Sequence, residues 1–169
     1  MERRPGMKMI KAMMLFAMIA GMVLATLSCQ TLSLTKPKAQ LEVIPAETFL
    51  SPALIRKPVS FSGSGFAPNE MVSVEMVLPP GMEMKGVNPG EDVGIALGTA
   101  DEKGHFTAAM APTATLNWFF QVGWTPVLTP NFKEAKPIPP GEYRINATGL
   151  DSGRMATSIL KIVPPPKKE

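Results

Sequence analysis

Side chains able to do covalent or metal chemistry are few and scattered. The chain has one cysteine, Cys29, and one histidine, His105. A Cys–His nucleophile pair needs the imidazole beside the thiol. Cys29 follows an apolar run and His105 follows a turn, so nothing in the sequence brings them together. Gly63-Ser64-Gly65 lacks the Gly-x-Ser-x-Gly spacing of a nucleophile elbow. The acidic pairs Glu91-Asp92 and Asp101-Glu102 lack the alternating oxygen ligands of a calcium loop and read as solvated turn residues. Met71, Met76, Met82, Met84, Met110 and Met155 offer thioethers, soft ligands suited to copper(I). Met76 falls on an apolar face, however, and methionines commonly fill gaps in cores. These residues point to no catalytic set, no metal site and no cofactor, and the chain reads as a non-enzyme.

The densest cluster is aromatic. Trp118, Phe119, Phe120, Trp124 and Phe132 lie between Pro112 and Pro140, in a chain with 8 Phe, 2 Trp and 1 Tyr. Leu116, Trp118, Phe120, Val122 and Trp124 share one parity, as on one face of a strand. Leu116, Phe119, Phe120 and Trp124 fit a helical stripe. Strand is the preferred reading. Such rings either pack on a sheet and cover its edge or form an exposed patch for a protein or glycan. Trp118, Phe119, Phe120 and Trp124 are accordingly the candidate partner-binding residues. A long insertion is where function is expected to concentrate.

The elements that must position this cluster are strands. From Leu41 onward the apolar residues alternate with period two. Leu41-Glu-Val-Ile44 is a first strand stopped by Pro45, and residues 46–56 can hold an edge piece. Val59 and Phe61, then Val72 to Leu78, Val93 to Leu97, Phe106 to Met110, Tyr143 to Ala147, and Ala156 to Val163 continue the pattern. His105 is expected to face outward beside an inward Phe106. Turn chemistry separates the strands: Ala67-Pro-Asn-Glu70, Pro79-Pro-Gly81, Asn88-Pro-Gly90, Asp101-Glu-Lys-Gly104, Pro139-Pro-Gly141 and Asp151-Ser-Gly153. The 14 Gly and 18 Pro suit short strands and tight turns. The expectation is an all-β, antiparallel β-sandwich of about seven to nine strands over 41–163, with the aromatic insertion at 112–140.

Three segments carry a resemblance. Val59-Ser-Phe-Ser-Gly-Ser-Gly-Phe-Ala-Pro-Asn-Glu70 with Val72-Ser-Val74 resembles the opening of bacterial immunoglobulin-like modules. Gly98-Thr-Ala-Asp-Glu-Lys-Gly-His-Phe106 and Pro140-Gly-Glu-Tyr143 through Ala147-Thr-Gly149 resemble such modules too, so that the likeness spans roughly residues 41–163. The likeness extends to the immunoglobulin-like plexin and transcription-factor domains and to enediyne apoproteins. Because these share architecture and not partners, the resemblance implies a fold and no activity. It also implies that Gly63 and Gly65 allow a bend or close approach to the opposing sheet. Tyr143 would tie its hydroxyl to nearby backbone.

The N-terminus sets the location. Arg3, Arg4, Lys8 and Lys11 precede an uncharged apolar run, Ala12 to Leu27. This is the pattern of a secretory signal over residues 1–28, and the run is short for a bilayer span of about 20 residues. Ala25-Thr26-Leu27-Ser28-Cys29 resembles the lipobox of bacterial lipoproteins, with Thr26 where the family usually carries leucine. That resemblance implies a diacylglycerol on Cys29, which becomes the mature N-terminus, and a membrane-anchored, extracytoplasmic protein. Gln30 after the cysteine favours the outer membrane where two membranes exist. An uncleaved anchor and a soluble product cut after Ala25 are the alternatives. Residues 29–40 read as a tether reaching about 35 Å when stretched, and 164–169 as a Pro/Lys tail.

The pI of 9.1 comes from the leader. Four of the 17 Lys and Arg and one of the 14 Asp and Glu lie in the first 28 residues, leaving 13 of each sign. A neutral chain without a basic cluster is not read as a nucleic-acid binder. The reading is a cell-envelope lipoprotein whose immunoglobulin-like domain binds or scaffolds without catalysis. The alternatives are an extracytoplasmic small-ligand or copper carrier, and an accessory domain for a separate enzyme.

Overall fold

Alternation of apolar and small polar residues produces the burial pattern of half-buried strands. In Met71–Val77, for instance, Val72, Val74 and Met76 are buried while Ser73 and Glu75 are not. The computed structural model describes residues 38–88 and 90–167. Cys29, the leader and most of the tether lie outside the described residues. The chain divides into two units, Met1–Thr35 and Lys36–Glu169, and all described residues belong to the second. Among them, no helix is long and apolar enough to cross a membrane.

The chain is mostly strand with little helix. β1 (Gln40–Ile44), β3 (Ser60–Ser64) and β6 (Phe106–Ala109) form an antiparallel sheet in the order β1-β3-β6. β2 (Glu47–Phe49), β4 (Met71–Val77), β5 (Val93–Thr99), β9 (Gly141–Gly149) and β10 (Met155–Val163) form a second, ordered β2-β10-β9-β4-β5. β7 (Gly123–Trp124) and β8 (Pro130–Asn131) make a separate two-stranded ribbon. Between β1 and β2 the chain changes sheets: β1 pairs antiparallel with β3, whereas β2 pairs parallel with the end of β10. Val43, Phe61, Phe106 and Ala108 from the first sheet join Val74, Met76, Ile95, Ile145 and Leu160 from the second in one apolar cluster.

One parity expectation fails. Val93 and Ile95 are buried, but Leu97, two residues further on, is 59% exposed. The register between β4 and β5 shifts at Val74/Glu75, so that Val74 faces Ala96 while Glu75 faces Gly94. The extra residue in β5 is a bulge, and a one-residue slip sends later side chains to the other face.

Gly65, at φ +82°, makes the expected bend, while Gly63 differs from expectation. A Cβ on Gly63 would overlap the Phe106 ring, on the neighbouring strand of its own sheet. The close approach between sheets is instead at Gly98, whose added Cβ would lie 3.2 Å from Ala108 Cβ. At the β5–β6 turn, Gly104 has φ +77° and abuts the Phe66 carbonyl, a conformation and a space that only glycine accepts. His105 faces outward and Phe106 inward. The Phe106 ring meets Phe66 edge-on at 5.2 Å.

Candidate docking surface

The insertion between β6 and β9 is built mainly as a helical segment and a ribbon. Pro112 opens a helical turn, Pro112–Ala114, where its missing N–H costs nothing. Thr115–Phe119 continues it as a π-turn, closed by the Phe120 N–H donating to the Thr115 carbonyl at 3.0 Å. This corrects the preference for a strand over 112–119: the segment is helical and buries Phe119, while Trp124, the last member of the helical stripe, stands in β7. The alternation of Leu116, Trp118 and Phe120 was coincidental with it.

The helical segment divides the four candidate aromatics. Phe119 and Phe120 are buried, at 1% and 7% exposure, and offer no docking surface. Phe119 belongs to the main apolar cluster. Phe120 meets Phe132 edge-on at 6.3 Å. Trp118 is half-buried against that cluster, and its indole N–H donates to the Gly94 carbonyl of β5 at 3.1 Å. It forms one wall of a hollow of about 400 Å³ lined by Ser73, Ala96, Leu97 and Asn117. Trp124 is 44% exposed, and its indole N–H donates to Asn117 Oδ1 at 2.9 Å.

The return path pins the insertion down. The Ile138 N–H donates to the Phe119 carbonyl at 3.0 Å. Asn131 accepts the Lys133 N–H at 3.1 Å and donates to Glu134 at 2.8 Å, which caps the short turn Phe132–Glu134. Tyr143 then opens the buried part of β9, and its hydroxyl donates to the Pro139 carbonyl at 2.6 Å.

The tip of the ribbon was not singled out by sequence patterning. Val127 and Leu128 are each 79% exposed, and Phe132, which meets Phe120 at the base, is 48% exposed. With Trp124 they are the exposed large apolar side chains of the ribbon and the turn that follows it. Leaving a Val or Leu in water forgoes about 1.5–3 kcal/mol each relative to full burial. Leu128 also has φ 57°. A three-residue hairpin loop puts a left-handed residue at this point, normally glycine. For a leucine that conformation costs roughly 1–2 kcal/mol. A residue unfavourable both in conformation and in solvation is a pointer to function. The sequence signal was available in Pro126-Val127-Leu128: a Val-Leu pair where a turn usually carries Gly, Asn or Asp.

The other chemistry-bearing residues stay apart from this surface. Met76, Met84 and Met110 are buried, whereas Met71 and Met155 are exposed. Among the described residues, no group of three or more His, Cys, Asp and Glu side chains could hold a metal ion. A groove of about 910 Å³ of mixed character runs along β1 and β10, lined by Lys38, Leu41, Glu42, His105, Met155 and Thr157.

Sequence reasoning also missed Glu70, which it took for a turn residue. Glu70 is 2% exposed. Its carboxylate accepts the Ala67 N–H, the Ser152 N–H at 2.9 Å and the Ser152 hydroxyl at 2.8 Å. Burial pushes its carboxyl up, but the donors of Ala67, Ser152 and Asp151 outweigh it and hold the group below its ordinary value. A carboxylate so fully committed to hydrogen bonds is a structural tie between two turns.

No family model matches the chain. No curated protein matches it in sequence. Among solved structures, BslA, described as a bacterial hydrophobin, is similar at a TM-score of 0.32 and 10% identity, over 76% of this chain and 98% of that one. A likeness at that level carries no argument.

Proposed function

We propose that the chain is a cell-envelope lipoprotein, lipidated at Cys29, whose immunoglobulin-like domain is a non-catalytic docking module that works through the β7–β8 ribbon. The strand order supports the fold part of this reading. The sequence β10-β9-β4-β5 corresponds to the G-F-C-C′ order of a variable-type sheet, and β1-β3-β6 to A-B-E. Tyr143, near the start of the strand equivalent to F, donates to backbone four residues upstream, as a tyrosine corner does. The aromatic insertion then occupies the connection between the E and F equivalents.

The observation that carries the docking part is the exposed tip. Val127 and Leu128 stand in water at 79% exposure each, on a ribbon whose base is locked by buried Phe119 and Phe120. A rigid base with an apolar end presents a surface without losing order when it binds. Trp118 and the hollow beside it extend the surface toward β5.

Two measurements test the proposal. The intact mass of protein isolated from membranes should correspond to a chain that begins at Cys29 and carries acyl groups. An intact leader or a bare N-terminus removes the lipoprotein part. Cross-linking from position 128 in whole envelopes should give an adduct that the same protein carrying Val127→Ser loses. Failure to form any adduct removes the docking part.

A further inference from the structure

We propose that the ribbon tip, Pro126-Val127-Leu128, inserts into the headgroup–acyl boundary of a lipid bilayer. This names the partner for the docking reading above and rests on it. Three observations favour a lipid phase over a protein surface.

The first is charge. No Asp, Glu, Lys or Arg stands between Lys103 and Lys133, so the loop Thr125–Thr129 carries no ion that would resist a low-dielectric medium, and the nearest carboxylate, Glu134, sits at the base against Gly123 and Asn131. Lys133 and Lys136 follow at the base with Glu134 between them, a net single positive charge where anionic headgroups would lie if the tip were inserted.

The second is the backbone. A segment entering hydrocarbon must satisfy its own N–H and C=O groups, whereas one that stops at the headgroup boundary can leave carbonyls to water. Pro126 and Pro130 have none. Thr125 donates to the Thr129 carbonyl at 3.0 Å, Leu128 to the Thr125 carbonyl at 2.9 Å, and Thr129 to Thr125 Oγ1 at 3.1 Å. Across Thr125–Pro130, only the Val127 N–H lacks a protein acceptor. The flanking Trp124 indole N–H is held by Asn117. The tip therefore brings one unpaired donor, while the Pro126, Val127 and Leu128 carbonyls accept no protein hydrogen bond and suit the hydrated headgroup boundary, not the hydrocarbon centre.

The third is shape. Val127 and Leu128 are each 79% exposed at the end of a hairpin loop and line neither hollow described above. A protein partner would need a matching concavity, whereas fluid acyl chains close around any convex apolar body. Trp124, set back from the tip, has the amphipathic ring that favours the membrane interface.

The test uses the mature protein and fluorescence. Trp118→Phe leaves Trp124 as the one tryptophan of a chain that has two. The protein is mixed with excess vesicles of phosphatidylcholine and phosphatidylglycerol, plain or brominated in the upper acyl chain. Insertion about 5–10 Å into the boundary should shift Trp124 emission to the blue and quench it roughly twofold by bromine. Adding Val127→Ser and Leu128→Ser should abolish both effects without lowering thermal stability, because both side chains are exposed. Equal quenching in that variant overturns the proposal. So does a red, unquenched Trp124 in the parent, including the case where position 128 cross-links to an envelope protein. Flotation of the serine variant with vesicles reports the anchor separately, so failure of the tip and failure of the anchor are read on different signals.

Discussion

Glu70 and Ser152 are 82 residues apart in sequence, yet the Glu70 carboxylate takes both the N–H and the hydroxyl of Ser152. The bond joins the turn before β4 to the turn between β9 and β10. Gly149 is required beside it, since a Cβ there would overlap the carboxylate.

Glu70→Ala should therefore destabilise the domain by about 1–3 kcal/mol, the cost of leaving buried donors unpaired. The pH dependence has a definite sign. The folded-state value of Glu70 is lowered from 4.5, so its contribution is present above the unfolded-state value. It is lost as pH falls through the lower, folded one. Urea midpoints between pH 6 and pH 3 should fall for the parent and fall less steeply for Glu70→Gln.

Tyr143→Phe removes the donor to Pro139 and should cost about 0.5–1.5 kcal/mol. Burial pushes the phenol above its ordinary 10.0, so the neutral form is favoured on folding. The parent should lose stability as pH rises beyond the unfolded-state value, and Tyr143→Phe should lose less over the same range. Thermal melts across that range check both.

The strands were legible because period-two burial is written directly into stretches such as Met71–Val77. The turns were legible because Gly104 and its like stand where φ is positive. Two kinds of feature were not. A bulge changes parity without leaving a mark in the residue types, so Leu97 read as core. Long-range pairing is equally silent: nothing in Asn69-Glu70 announces Ser152. Within the insertion, both periods fitted the aromatics. Only the packing of Phe119 into the main cluster and the capping of Trp118 by Gly94 decide between them.

The four candidate aromatics should separate sharply on mutation. Phe119→Ala empties a fully buried site and should cost about 3–5 kcal/mol. Trp124→Ala removes a ring that is 44% exposed and should leave the melting temperature close to that of the parent. Comparable losses for both would mean that the ribbon is packed into the core.

Leu128→Asn should stabilise the domain by roughly 0.5–1 kcal/mol, because asparagine accepts the left-handed conformation that leucine resists. The same change should weaken docking. A gain in stability with a loss of binding would identify Leu128 as kept for its surface. A loss of stability would show that its side chain is packed.

Thiol protection at the tip tests the docking account most directly. With Cys29 acylated, Leu128→Cys carries the single free thiol, and its labelling by a hydrophilic maleimide is compared between intact envelopes and detergent-purified protein. A Glu102→Cys variant, on the exposed β5–β6 turn, serves as the reference. The account predicts strong protection at 128 in envelopes, relief on purification, and no protection at 102. Equal labelling of 128 and 102 in intact envelopes would contradict it.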